Sequence, residues 1–167
     1  IRSGQQDIVL AGGAEEVRWT STALFDAMGA LSSKYNDLPQ QASRPYDRDR
    51  DGFVIAGGAG MLVLEDWAHA NARSACILGE VIGYGACSDG ADMVLPDADG
   101  AARAMRLALE DAGLERVDYV NTHATSTPSG DIEEVAALRR VFGDAIPPFS
   151  SVKGLTGHAI GASGAQE

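Results

Sequence analysis

Residues 101–150 read AARAMRLALEDAGLERVDYVNTHATSTPSGDIEEVAALRRVFGDAIPPFS, and the changes of period within them decide the fold class. Ala101, Ala104, Met105, Ala108, Leu109 and Ala112 share one helical face, with Arg103, Arg106, Glu110 and Asp111 elsewhere. Gly113 stands where such a helix ends, and Val117 to Asn121 (VDYVN) follows as a strand. Asp131 offers an N-cap with Glu134 completing a capping box, and Ile132, Val135, Ala136 and Phe142 trace a second helical face. A further strand surrounds Phe149.

Upstream, Cys76 to Ala86 is rich in Ile, Val and Gly and reads as an edge or bent strand. The order strand, helix, strand, helix, strand implies right-handed crossovers and a parallel or mixed sheet with helices packed on it. Asp7 to Gly13 (DIVLAGG) reads as a buried strand running into a glycine turn, and Gly60 to Leu64 (GMLVL) as a second. Between them, the charged stretch Ser32 to Asp51, with Pro39 and Pro45, is expected to pack on the surface.

With 167 residues, 45% of them hydrophobic, the chain is long enough for a substantial core. No apolar run approaches the roughly 20 residues of a membrane span, and no basic-then-apolar leader opens the chain, so a cytoplasmic address is expected. Thirteen basic against 24 acidic side chains, a net charge of -11, repel a phosphate backbone and argue against nucleic acid. Cys76 and Cys87 are too few for a disulfide framework and are expected as buried, inert thiols. The chain opens on Ile1 and stops at Glu167 inside a run of small residues, which reads as an excised piece.

Reactive side chains concentrate at the carboxyl ends of the expected strands, where open α/β sheets build their sites. They lie in Asn121 to Asp131, in Ser150 to His158, and in the small-residue run after it. Singly, each has a plain structural explanation: a histidine satisfied within the fold, a surface Lys153, turn hydroxyls at Thr125 and Thr127. Together, a histidine followed by several hydroxyl residues is poorly explained by packing. A metal hydrolase is disfavoured because His69, His123 and His158 are scattered and no His-Glu-x-x-His occurs. The Ala56 to Gly60 glycine cluster leads into a strand-like run, which leaves a dinucleotide phosphate no helix terminus to meet.

The combination Asn-x-His-x-Thr-Ser-Thr-Pro-x-Gly-Asp, then Ser-x-Lys-x-x-Thr-Gly-His-x-x-Gly-Ala-x-Gly, resembles the β-ketoacyl-acyl-carrier-protein synthases of the thiolase superfamily. The segments AGGAEE, FDAMGALS, YDRDRDGFVIAGGAGMLVLE and SDGADM extend the resemblance along essentially the whole chain. AGGAEE with FDAMGALSSKYND, and GADMVLP later, look more like the type I synthase of bacterial fatty acid synthesis than its type II sibling. Ser126 and Thr156 stand where modular polyketide synthases usually differ, and degradative thiolases lack the Lys153 and His-x-Thr-Ser-Thr features. Ala124 departs from the glycine that usually follows the first histidine; a methyl group is tolerable there only at negative φ.

The resemblance implies an α/β, thiolase-like fold: a mixed five-stranded-type sheet with helices on its faces, the carboxyl-side portion of a duplicated fold. Residues 1–65 would end the first half and connect it, and residues 66–167 would form most of the second. It implies a decarboxylative Claisen condensation in which a cysteine upstream of Ile1 carries the acyl chain, so that this stretch alone is inactive. His123 and His158 would be the two neutral imidazoles that hold the enolate oxygen, His158 at a helix start whose dipole keeps it neutral. Glu134 would form a buried pair with Lys153, and Thr125 and Thr127 would bind the phosphopantetheine arm. No cofactor is implied, because the phosphopantetheine arrives on the acyl-carrier protein. A weak structural monovalent cation near Asn121 and Glu167 fits the family pattern. Malonyl- and acyl-thioesters would be the substrates and a homodimer the assembly, with the carrier's basic docking patch around Arg103 and Arg106 or, preferably, outside these residues. The alternatives left open are a polyketide ketosynthase domain and a non-catalytic synthase-like partner subunit.

Overall fold

A computed structural model describes residues 1–167, the whole chain. Strand β1 (Ile8–Glu15) pairs antiparallel with β2 (Gly58–Glu65) in an unbroken register from Ile8 opposite Glu65 to Glu15 opposite Gly58. Gly12 and Gly13, read from sequence as a turn, lie inside β1. Their smallness serves a close approach: a Cβ on Gly13 would overlap the Gly161 carbonyl, and one on Gly60 would come 2.8 Å from the Ala165 methyl. The two glycine clusters thus let the small-residue run at the end of the chain lie directly on the hairpin.

After β1 comes helix α1 (Trp19–Ala27), which buries none of its residues and leaves Trp19 81% exposed. The chain then runs through an irregular stretch to Phe53–Ile55, where single parallel bridges join Leu31 to Phe53 and Ile55 to His158. Helix α2 (Trp67–Ala72) follows β2, capped by the Asp66 carboxylate, which accepts from the amides of Ala68 and His69.

Helix α3 (Ala98–Ala112) has the expected stripe and ends at Gly113 in the left-handed conformation, as the sequence suggests. It packs on α4 (Gly130–Phe142) through Ala98, Ala102 and Ala137, with Met105 and Val141 at the rim. Alanines at the contact allow the two axes to approach closely. Strand β3 (Val120–Asn121) runs parallel to β4 (Phe149–Ser150), joined by α4 as a β-α-β crossover. Three short elements finish the chain: α5 (Lys153–Thr156), a 3-10 turn (Ile160–Ala162) and α6 (Ser163–Gln166).

Four local expectations are corrected. Cys76 to Ala86 forms no strand, since an extended segment becomes one only when a neighbouring strand takes its backbone hydrogen bonds; none pairs with it, and the Tyr84 amide donates instead to the Asp111 carboxylate. The strands pair as two ladders, β1 with β2 antiparallel and β3 with β4 parallel, in place of the continuous sheet expected, and the α/β class stands. Cys76 and Cys87 are exposed, Cys76 beyond the end of α2 and Cys87 donating to the Gly100 carbonyl. Asp131 does not cap α4: the helix begins at Gly130, after Ser129, and the Asp131 carboxylate instead accepts from the amides of Tyr46 and Ser126. No helix is long and apolar enough to cross a membrane.

Candidate active site

The two histidines come from separate loops, one after β3 and one after α5. His123 lies two residues beyond the end of β3, and its ring centroid lies 5.2 Å from that of His158, the planes 86° apart. His158 is fixed through its backbone, its amide donating to the Val54 carbonyl at 2.8 Å and its carbonyl accepting from Ala56 at 3.0 Å. Gly157 turns the chain into this position at φ 69°, with the Val54 carbonyl 2.9 Å from where a Cβ would be. Phe53 covers the His158 ring edge-to-face at 5.3 Å and Phe25 covers Phe53 at 5.2 Å.

His158 does not open a helix, as the dipole argument requires; it follows the carboxyl end of α5 and precedes a single 3-10 turn. Its neutrality has another cause. Desolvation, then the neighbouring His123 and Lys153, press its pKa down to about 4. Desolvation and Lys153 likewise lower His123, outweighing the carboxylates Glu134, Glu167 and Asp131. Nδ1 of His158 lies 2.9 Å from the hydroxyl of buried Ser163. A neutral ring accepting a hydrogen bond from that hydroxyl at Nδ1 carries its own proton on Nε2, the nitrogen left free to donate.

Lys153 is 1% exposed and its ammonium pairs with the carboxylate of Glu167. The expected pair with Glu134 does not form. Glu134 accepts instead from the amides of His123 and Ala124, each at 2.7 Å, and from the Tyr46 hydroxyl at 3.2 Å. This carboxylate therefore grips the backbone on which His123 is mounted. Ser151 adds a tie from its hydroxyl to the Ala124 carbonyl at 2.7 Å and accepts from the Lys153 amide at 3.2 Å. Ala124 is 2% exposed and lies outside the positive-φ region, so its methyl group is accommodated. Farther along the loop, the Thr125 hydroxyl meets that of Thr127 at 3.2 Å.

Residues 78–167 match the family model described as the β-ketoacyl synthase C-terminal domain, and residues 1–70 match that of the N-terminal domain. The chain belongs to the β-ketoacyl synthases. It is 58% identical over its full length to 3-oxoacyl-[acyl-carrier-protein] synthase 1 of Escherichia coli K12 and 54% identical to that of Haemophilus influenzae. It spans 41% of the length of each of these relatives. Among solved structures, a β-ketoacyl synthase from Burkholderia phymatum superposes with a TM-score of 0.95 at 48% identity, over 99% of this chain and 40% of that one. The ketosynthase of a type II polyketide system, solved with its acyl-carrier protein, gives 0.94 at 41%, over 99% of this chain and 42% of that one.

Several residues of this synthase site were not singled out in the sequence. Ser163, Phe53, Tyr46 and Arg50 all touch the histidines or their loop, and Asp131, expected only as a helix cap, ties that loop through the Ser126 amide. The Ser32 to Asp51 stretch, expected merely to pack on the surface, supplies Tyr46 and Arg50. One signal was available: its charges run straight into the apolar Gly52 to Ile55, an abrupt join that suggests a buried polar contact.

At the expected cation position, the Asn121 side-chain amide donates to the Glu167 carbonyl at 2.9 Å, and Asn121 Oδ1 is buried without a partner. An orphaned amide oxygen suits a hard monovalent ion, although the Glu167 carboxylate is already engaged by Lys153.

Proposed function

We propose that the intact synthase condenses an acyl group held on a cysteine with a malonyl group carried by acyl-carrier protein, lengthening a fatty acyl chain by two carbons. The observation that carries this reading is the pair of mutually perpendicular histidines, His123 exposed and His158 partly buried, both with pKa values lowered so that the neutral, donating form is favoured at physiological pH. Malonyl thioester binding would set its carbonyl oxygen against His123 and against Nε2 of His158. Loss of carbon dioxide leaves an electron pair on the α-carbon and negative charge on that oxygen, which both imidazoles stabilise by donation. The carbanion then attacks the acyl thioester, and the cysteine thiolate leaves. Phe53 against His158 shields that ring from water on one side, which strengthens its hydrogen bond to the oxyanion.

Lys153 and Glu167 touch no substrate in this scheme; the Lys153 charge disfavours imidazolium at both rings, and Glu167 pairs with the buried ammonium. Glu134 orients His123 through the main chain. Thr125 and Thr127 would bind the amides of the phosphopantetheine arm, which comes with the carrier. A monovalent cation at Asn121 Oδ1 would supply structural charge alone. The nucleophile lies outside these residues, since neither Cys76 nor Cys87 contacts the histidine pair. The higher identity to fatty acid synthases than to polyketide ketosynthases favours the fatty acyl substrate.

Incubating the intact enzyme with acyl- and malonyl-carrier should give a 3-oxoacyl product two carbons longer by mass spectrometry; unextended thioesters alone would refute the function. We also propose a homodimer, supported by the apolar side chains that this portion leaves exposed, such as Leu10, Met61 and Val63. A fully active strict monomer by light scattering would contradict that assembly.

A further inference from the structure

The loop that follows His123 is stitched to a segment from the other half of the sequence. Arg44 donates its amide to the Ser126 hydroxyl, Gly52 to the Ser126 carbonyl, and Tyr46 to Asp131. Arg50 makes the densest set of these ties. Its side chain is 11% exposed; Nε donates to the Thr127 carbonyl at 2.9 Å and lies 3.4 Å from buried Asp131. One terminal nitrogen donates to the Pro128 carbonyl, and the other to the Asp47 carbonyl at 2.9 Å. Thr127 is confined from a further side as well, because a Cβ on Gly130 would come 2.5 Å from its hydroxyl.

From this geometry we propose that Arg50 is a positioning residue for the thioester arm: its guanidinium fixes the Thr127–Pro128 turn and thereby aims the Thr125 and Thr127 hydroxyls. The inference rests on the reading that these hydroxyls meet the arm. Only a planar fork can serve both turn carbonyls and Asp131 at once. A lysine preserves the charge opposite Asp131 but lacks that spread of donors. The effect should therefore fall on recognition of the arm rather than on the histidines, which are held by Glu134, Ser151 and Ser163, groups to which Arg50 makes no hydrogen bond.

The test is Arg50→Lys in the intact enzyme, assayed for decarboxylation with malonyl-carrier and with a malonyl methyl thioester that has no pantetheine amides. The expected result is a rise in KM for malonyl-carrier of about tenfold, the weight of one or two net hydrogen bonds, with kcat and the truncated thioester changed less than about twofold. Thr127→Val should raise the same KM, and the double variant should cost no more than the larger single change, because Arg50 acts through Thr127. Equal losses on both thioesters, additive losses in the double variant, or an unaltered KM in Arg50→Lys would overturn the proposal. An inert Thr127→Val would remove the arm-binding reading itself, and Arg50's role with it. An effective Thr127→Val beside an inert Arg50→Lys would remove only the role of Arg50.

Discussion

Replacing Glu134 with glutamine changes one atom and should loosen His123. The carboxylate accepts the His123 and Ala124 amides on separate oxygens, both at 2.7 Å. Glutamine offers one oxygen; its NH2 group must face the other amide, donor against donor. Hydrogen bonds to a charged group contribute about 1.5–3 kcal/mol each, so losing one and weakening the other costs about 2–4 kcal/mol of local order. Because every 1.4 kcal/mol is about tenfold in an opening equilibrium, amide exchange at residues 123 and 124 should accelerate on the order of thirtyfold to several hundredfold. Malonyl decarboxylation should fall about ten- to a hundredfold as the imidazole drifts from the oxyanion position. Hydrogen exchange read by mass spectrometry on a peptide spanning Asn121 to Ser126, in the intact enzyme, measures the first effect directly. Unchanged exchange there would refute the clamp, and faster exchange confined to the Lys153 turn would restore the ion pair that the structure replaces.

Acidification should weaken the fold through His158. Its pKa is held at about 4 against an ordinary 6.5, so between those values the unfolded chain binds a proton that the folded chain refuses. Stability is then complete above about pH 6.5 and declines as pH falls toward 4, by about 1–2 kcal/mol after allowing for partial solvent screening. Urea midpoints at pH 7.5 and 4.5 should show this decline, and His158→Gln should lessen it; identical pH dependence in both proteins would contradict the assignment. Gly157→Ala forces a methyl group at φ 69° toward the Val54 carbonyl and should cost about 1–3 kcal/mol along with a displaced His158. Thermal melting of the intact enzyme would expose that cost, and an unchanged melting temperature would show the turn to be relaxed.

The parts legible in sequence were those governed by local rules. The α3 stripe, its glycine stop, and the strand and helix that carry Asn121 to Phe142 follow from period and punctuation over neighbouring residues. The histidine and hydroxyl motif likewise marks the loop on which the candidate site is built. What sequence could not supply depended on contacts across long separations. Cys76 to Ala86 has strand composition, but composition provides no hydrogen-bonding neighbour. Glu134 stands at capping-box spacing from Asp131, yet spacing says nothing of the two amides its carboxylate meets across the loop. Lys153 required a partner, and chemistry alone could not choose between Glu134 and Glu167. The glycines of β1 looked like a turn because the Gly161 backbone that presses on them lies at the other end of the chain.

That two neutral imidazoles hold one oxyanion is tested most directly by measuring the half-reactions separately in intact His123→Ala and His158→Ala enzymes. Each variant should release labelled carbon dioxide from malonyl-carrier on the order of a hundredfold or more slowly, the worth of one oxyanion donor. Transfer of the acyl group to the cysteine should suffer much less. Normal carbon dioxide release by both variants would show that the histidines only support the fold.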